Sequence, residues 1–457
     1  MRTRKAFART ALATAALVAT VPLVAAIGLA APASASASGP ASPSAVTSGS
    51  FSVLSYNIAG LPLGIGDGDP ETNTPIIGSR LAPYDVVQVQ EDFNYHAALY
   101  AVDRHPHRTP TSGGVPFGSG LNTLSNLPFE DFERVTWADC SSGSGDCLTP
   151  KGFTFMRARL AEGVWVDLYN LHTDAGVEPG DLAARRANLA QLTTFIRTRS
   201  AGNAVIVYGD TNTRYTRADD TIAELASANR LSDPWVDLVR GGDAPDKGAP
   251  ALVCVDATVD ETCEVVDKVL YRGGRHVRLG AVEYRNDHAA FRDGAGKNLS
   301  DHYPIAVDLN WSLSPDFRLS DQFGGPHGTF FTDVDDLTAG ARPTELRVRG
   351  GSRVDQIGLT LAGGARVEHG GGGGTLGTLT LASGEYPVSL HLCQVKHEDH
   401  TRIAYARFTT STGRTLAGGT STGDCTTYTA PSGWQIAGFH GRAGNELDKV
   451  GVIYTRR

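Results

Sequence analysis

Hydrophobic periodicity changes character at Ser312-Leu313-Ser314-Pro315, and this change constrains the fold of the chain more than any other feature. Downstream, as far as Tyr454, no stretch places apolar residues three and four apart. They alternate with polar ones between glycine-rich turns, which is the pattern of strands. Upstream, strand-like runs at 51–58, 85–90, 165–171, 204–208, 268–271 and 305–311 share the chain with a helical segment over 181–199. That segment carries Leu182, Leu189, Leu192 and Ile196 at helical spacing, with Gly202 just beyond its end. A chain of 457 residues exceeds what one hydrophobic core holds. The change of pattern therefore marks a mixed α/β domain over 51–312, a linker over 313–322 and an all-β domain over 323–457.

The N-terminal segment has the order of an export signal. Arg2, Arg4, Lys5 and Arg9 precede an apolar run over 11–31, and small residues Ala33-Ser34-Ala35-Ser36-Ala37 follow. The expectation is a signal peptide over 1–37 cleaved near Ala35 or Ala37, a linker over 38–50 and a secreted, extracellular protein. A membrane anchor is the alternative, since the run is long enough to span. Six cysteines in an oxidising compartment suggest disulfides. Proximity favours Cys140–Cys147, Cys254–Cys263 and Cys393–Cys425, and no CxxC pair suggests zinc.

Charge is uneven. Residues 51–312 hold 23 Lys and Arg against 35 Asp and Glu, whereas 313–457 are balanced. An acidic domain lacks the broad basic face that gives non-specific nucleic-acid affinity, and a divalent metal would offset part of its charge.

Within 51–312, polar residues cluster at strand ends, where they can converge on one rim of a sheet. The strings are Leu54-Ser55-Tyr56-Asn57, Val89-Gln90-Glu91, Asn170-Leu171-His172-Thr173, Gly209-Asp210-Thr211-Asn212, Asp267-Lys268-Val269-Leu270 and Ser300-Asp301-His302-Tyr303-Pro304-Ile305. In this order they resemble the endonuclease/exonuclease/phosphatase superfamily, of the deoxyribonuclease I type. The resemblance implies an α/β four-layer sandwich, two packed β-sheets flanked by helices, that hydrolyses phosphoesters with Mg2+, or with Mn2+ or Ca2+ in its place. It implies Glu91 as the main metal ligand, assisted by Asn57 and Asp301. Asp210 would position or deprotonate water, Asn212 would orient water and phosphate, and His172 would contact phosphoryl oxygens. His302 would be a general base or phosphate ligand oriented by Asp267, with Asp210 the other candidate base. Glu91 is followed by Asp92-Phe93, without the arginine of pancreatic-type deoxyribonuclease, and Tyr56-Asn57-Ile58-Ala59-Gly60-Leu61-Pro62 is closer to the phospholipid-cleaving branch. No apolar hairpin for membrane insertion is evident.

The last domain resembles jacalin-related lectins. The strings are Phe323-Gly324-Gly325-Pro326-His327-Gly328, Val354-Asp355-Gln356-Ile357-Gly358-Leu359, and Ile436-Ala437-Gly438-Phe439-His440-Gly441 continuing to Asp448. The resemblance implies an all-β β-prism and a shallow sugar site at Gly325, Gly444, Asn445, Glu446 and Asp448, where glycines let backbone approach the ligand.

The expected function is a secreted, divalent-metal-dependent phosphoester hydrolase acting on phospholipid head groups or nucleic acid, targeted to glycans, with no stable protein partner implied. A phosphomonoesterase on inositol or sugar phosphates and a glycan-binding protein with an inactive hydrolase scaffold are the alternatives. Asp287-His288, Asp399-His400, Gly419-Thr420-Ser421-Thr422-Gly423 and Gly370–Gly374 are set aside as sites, and His96, His105 and His107 are read as surface residues.

Overall fold

The computed structural model describes residues 46–66, 68–113, 117–256 and 258–457. The expected signal peptide, its cleavage site and most of the expected first linker lie outside the described residues. Within the described residues no helix is long and apolar enough to cross a membrane.

The first domain is built on two sheets. One comprises β1 (Ser48–Asn57), β2 (Val86–Gln90), β3 (His107–Arg108), β4 (Asn122–Ser125), β10 (Val277–Asn286) and β11 (Ile305–Leu313), in the order β10-β11-β1-β2-β4-β3. The other comprises β5 (Phe129–Thr136), β6 (Gly152–Ala161), β7 (Val164–His172), β8 (Ala204–Asp210) and β9 (Asp267–Arg272), in chain order. Their inner faces share one core, to which β1 contributes Phe51 and Val53, β11 Val307 and Leu309, and β8 Ile206 and Tyr208. The other face of the first sheet, with Leu54, Tyr56, Val87 and Val89, packs under α1 (Pro70–Gly78) and α2 (His96–Val102) through Ile77 and Leu99. The second sheet is covered by α3 (Pro179–Arg199) and α4 (Ile222–Asn229), through Leu189, Leu192, Ile196 and Leu225. The period-2 alternation of each strand thus feeds two cores. The result is the expected four-layer sandwich.

Local chemistry explains α3. Glu178 and Asp181 form a reciprocal capping box, Pro179 occupies the first turn, and Arg197 and Arg199 lie in the last. Strand β2 departs from an apolar pattern because Gln88 and Gln90 face inward. Gln88 donates to Tyr208 Oη at 3.0 Å and Gln90 to Asn170 Oδ1 at 2.8 Å, which pairs both amide nitrogens in the core.

The last domain is a three-sheet β-prism. Its sheets are β12 (Phe317–Leu319), β13 (Phe323–Gly324), β14 (Thr329–Thr332), β23 (Trp434–Ala443) and β24 (Leu447–Arg456); then β15 (Pro343–Gly350), β16 (Val354–Leu361), β17 (Arg366–Gly370) and β18 (Thr375–Thr380); then β19 (Pro387–His397), β20 (His400–Thr410), β21 (Thr415–Gly419) and β22 (Cys425–Thr429). All three contribute to one core, with Phe439 and Val452 from the first, Ile357 and Leu346 from the second, and Leu390 and Phe408 from the third.

Two expected linkers are partly strand. Ser48, Gly49 and Ser50 pair with Ser312, Trp311 and Asn310, because β11 offers a long edge to β1. Phe317–Leu319 pairs with β24, so the 313–322 stretch enters the lectin sheet within a few residues of leaving the hydrolase sheet. The three disulfides are those that proximity favours. His105 is a buried residue rather than a surface one, bonded to Asp103 at 2.5 Å and to Tyr84 O at 2.7 Å.

Candidate functional site

Parallel pairing of β1 with β2 and of β7 with β8 aligns four strand ends at one pole of the sandwich. Asn57 is level with Gln90, and His172 with Asp210, which is in turn opposite Asp267 on β9. The chain turns sharply just beyond these ends. Glu91 and Asn212 adopt left-handed backbone, at φ 57° and 48°. Such backbone in non-glycine residues is uncommon and clusters at functional sites. Gly60 is required by close approach, since a Cβ there would lie 2.0 Å from Glu91 O.

The side chains form one network. Asn57 Nδ2 donates to Glu91 Oε1 at 3.0 Å and to Asp210 Oδ2 at 3.1 Å, while its Oδ1 accepts from Ala59 N. Asp210 Oδ2 also lies 3.3 Å from His172 Nε2 and 3.6 Å from His302 Nε2. His302 Nδ1 meets Asp267 Oδ2 at 2.9 Å. Asn212 N donates to Asp210 Oδ1 at 2.9 Å, and its amide reaches Thr173 O at 3.3 Å. Ser300 fixes the last loop by donating to Asn57 O at 2.7 Å and accepting from His302 N at 3.1 Å. The structure therefore brings Asn57, Glu91, His172, Asp210, Asn212, Asp267 and His302 together. Asp301 is exposed at the edge, 3.4 Å from Ser300 Oγ, and lines a groove of about 610 Å3 with Asp69, Asn73, Asp256, Arg292 and Lys297.

Electrostatics separate the roles. Burial alone would lower the pKa of His302, but Asp267 and Asp210 outweigh it and hold the imidazolium well above the usual histidine range. Burial opposes charge on Asp210 too, and the positive charge of His302 overcomes it, keeping this carboxylate below its ordinary value. Burial, then Lys151, pushes His172 down to about 3, so it is neutral. Burial raises Asp267 to about 6 against the pull of His302, as expected of a buried pair sharing a proton. Burial also raises Glu91.

Sequence reading missed Lys151 and Trp137. Lys151 pairs with Asp146, next to the Cys140–Cys147 bridge, and its Nζ lies 3.4 Å from Thr173 O. Trp137 Nε1 donates to His172 O at 2.7 Å. Both precede β6, and no local motif marks them.

Fit to a divalent metal can be judged from the donors. Glu91 is a recessed carboxylate whose burial opposes its charge, beside a second carboxylate reached through Asn57. Such an oxygen-rich, electron-rich corner suits a hard cation. Asp210, Asp267 and His302 also place potential ligand atoms mutually within 4.8 Å. His391 lies beside Cys393 and Cys425, but those sulfurs are joined in a disulfide.

In the lectin domain, the expected sugar residues Gly444, Asn445 and Glu446 form the turn joining β23 to β24, Asp448 lies at the start of β24, and Gly325 follows β13. Gly325 N donates to Asp448 O at 2.9 Å, and Gly444 N to Glu446 O at 2.9 Å. Gly444 and Asn445 are exposed, whereas Asp448 is buried beneath them. Asp448 Oδ1 pairs with Arg402, and its Oδ2 has no hydrogen-bond partner among the described residues. Glu446 pairs with Arg353 and with Arg402, the latter at 3.0 Å.

Comparison with known proteins fits this division. The endonuclease/exonuclease/phosphatase family 2 profile matches residues 76–248, and the jacalin-like lectin domain profile matches 320–453. Horcolin of Hordeum vulgare is 32% identical over 120 residues, covering 25% of this chain and 82% of horcolin. The chain belongs to the jacalin-like lectins through its C-terminal domain, and its first domain is an endonuclease/exonuclease/phosphatase domain. A sphingomyelinase of Mycobacterium tuberculosis is 41% identical over 273 residues, covering 58% of this chain and 53% of that protein. This chain thus spans about half the length of the curated sphingomyelinases it matches. Among solved structures, sphingomyelinase C from Streptomyces griseocarneus aligns over 57% of this chain and 99% of that one, at 20% identity and a TM-score of 0.40. A Malaysian banana lectin aligns over 31% and 99%, at 26% identity and a TM-score of 0.27.

Proposed function

We propose that this protein is an exported, divalent-metal-dependent phosphodiesterase that cleaves phospholipid head groups and is held at glycan-bearing surfaces by its lectin domain. The carrying observation is the ring of His302 held between Asp267 and Asp210, beside His172 and recessed Glu91. This supports a division of labour. Asp210, kept ionised, orients and deprotonates the attacking water. His302, kept protonated, gives a proton to the leaving oxygen, and Asp267 holds its ring. His172 and Asn212 contact the phosphoryl oxygens, with Lys151 the nearby cation. Glu91, helped by Asn57 and Asp301, would hold Mg2+, which when bound supplies positive charge for the phosphoryl oxygens.

The lipid reading is supported by the sphingomyelinase relatives and by the rim. Leu63, Ile65, Leu148, Val177, Val253 and Val255 are exposed on loops that follow β1, precede β6, follow β7 and precede β9. These loops leave the pole that carries the catalytic strand ends. They form no apolar hairpin, but their tips give a lipid surface several shallow contacts. Export is supported by the N-terminal pattern and by three disulfides with no free cysteine among the described residues. The test is hydrolysis, with magnesium, of sphingomyelin, phosphoinositides, duplex DNA, RNA and soluble phosphomonoesters. Preference for phospholipid diesters supports the reading, and preference for nucleic acid or monoesters overturns it.

A further inference from the structure

The sugar loop is not held by the lectin domain alone. Its two stems, Arg442 on β23 and Lys449 on β24, are cross-strand partners, and both reach the hydrolase domain. Arg442 Nε donates to Asp131 Oδ1 at 2.8 Å. Lys449 Nζ meets Glu130 Oε2 at 2.5 Å and lies 3.9 Å from Asp131 Oδ1. Glu130 and Asp131 sit in a register shift of β5, where Asp131 takes left-handed backbone at φ 57° and its side chain is nearly fully buried. The same Arg442 donates to Gly328 O at 3.2 Å, and Gly328 walls Asp448, since a Cβ there would lie 2.4 Å from Asp448 Oδ2. Lys449 adjoins Asp448 in sequence. The Glu130–Asp131 bulge thus grips the loop immediately outside Gly444 and Asp448, and it reaches, through Arg442 and Gly328, the wall of the one Asp448 oxygen without a hydrogen-bond partner.

We propose that Glu130 and Asp131 of the hydrolase domain are positioning residues of the glycan site, which is complete only when the two domains are docked. The proposal rests on the glycan-binding reading of the Gly444–Asp448 loop. A bulge that places two adjacent carboxylates on both stems of one loop sets the spacing of the backbone groups that grip sugar hydroxyls, and small misplacements weaken a polar site steeply.

The full chain is first screened on an immobilised panel of mannosides, glucosides and galactosides, and the glycan it binds best serves as the soluble calorimetric probe. Glu130→Lys and Lys449→Glu, each alone, should weaken binding by about fivefold or more, as expected for a close charged pair. The Glu130→Lys/Lys449→Glu double variant should regain most of the affinity, an outcome that general loss of structure does not give. Asp131→Asn, which keeps volume and removes charge, should weaken binding as the single variants do. Unchanged affinity in Glu130→Lys and Asp131→Asn, or no recovery in the double variant, overturns the proposal. A wild-type chain that binds nothing on the panel overturns the glycan reading itself, and the positioning role with it.

Discussion

In the hydrolase site the carboxylates Glu91, Asp210 and Asp267 face an amide and two imidazoles; in the lectin loop Glu446 and Asp448 face the guanidinium groups of Arg353 and Arg402. The first arrangement leaves negative charge to be met from outside and lets protons move among weakly acidic and basic groups. The second neutralises its carboxylates with groups that stay protonated, which fixes geometry and leaves one Asp448 oxygen without a hydrogen-bond partner among the described residues. Buried charge can therefore serve turnover or shape, and the partner decides which.

The largest effects should come from the hydrolase network. Asp210→Ala or His302→Ala should lower turnover by at least about a hundredfold, and chelation should abolish it until magnesium returns. Full activity in either variant would mean that this pole is not the reaction centre.

Asp267→Asn sharpens the contrast through pH. The raised His302 pKa keeps the proton in place through neutral pH and releases it only on the alkaline side. Removing the Asp267 charge should bring the alkaline limb of kcat/KM down by about one unit or more, because an adjacent carboxylate is what favours the imidazolium. An unmoved limb would assign it to another group.

A middling effect is expected at the rim. Leu148→Asp should slow hydrolysis of vesicle substrate roughly several-fold, because a leucine side chain that enters the lipid surface adds apolar burial which a carboxylate cannot replace. A soluble phosphodiester should be spared. Equal loss on both substrates would make Leu148 a structural residue.

The smallest effect on turnover is expected from the lectin loop. Asp448→Ala should weaken glycan binding by about tenfold, the scale of one missing charge-assisted hydrogen bond, with turnover of a soluble diester kept within about twofold. The domains are docked rather than loosely tethered. Arg159 donates to Asp321 through Nε and Nη2, and Arg275 stacks on Phe317. These contacts lie at the β6–β7 turn and beyond the end of β9, the pole opposite the catalytic strand ends. A loss of soluble turnover in Asp448→Ala would show communication between the poles.

Legibility differed between the sites for a physical reason. The candidate catalytic residues sit at strand ends, where a polar residue after an apolar run breaks the pattern, so Asn57, His172 and Asp210 were visible as candidates, and the order of all six strings, not any one alone, pointed to the site. Asp146 lies in the loop that Cys140–Cys147 closes, and Trp137 and Lys151 flank it, in a segment without periodicity. The strands β5 and β6 were also missed, because Glu130, Asp131, Glu133 and Arg157 interrupt their alternation, and the partners of Glu130, Asp131 and Arg157 include the lectin domain's Lys449, Arg442 and Phe330. Likewise the Gly444–Asp448 turn is one continuous string, but Arg353 and Arg402 come from the other two prism sheets. The linkers were misplaced because polar, small-residue stretches such as Ser48-Gly49-Ser50 join a sheet when a partner edge is present.

The most direct measurement is release of the phosphorylated head group from sphingomyelin vesicles by the wild-type chain and by Asp210→Ala, each with magnesium and with chelator. The account predicts release by the wild type with magnesium alone, and little or none in the other three conditions. Release that survives chelation, or that Asp210→Ala retains, would contradict it.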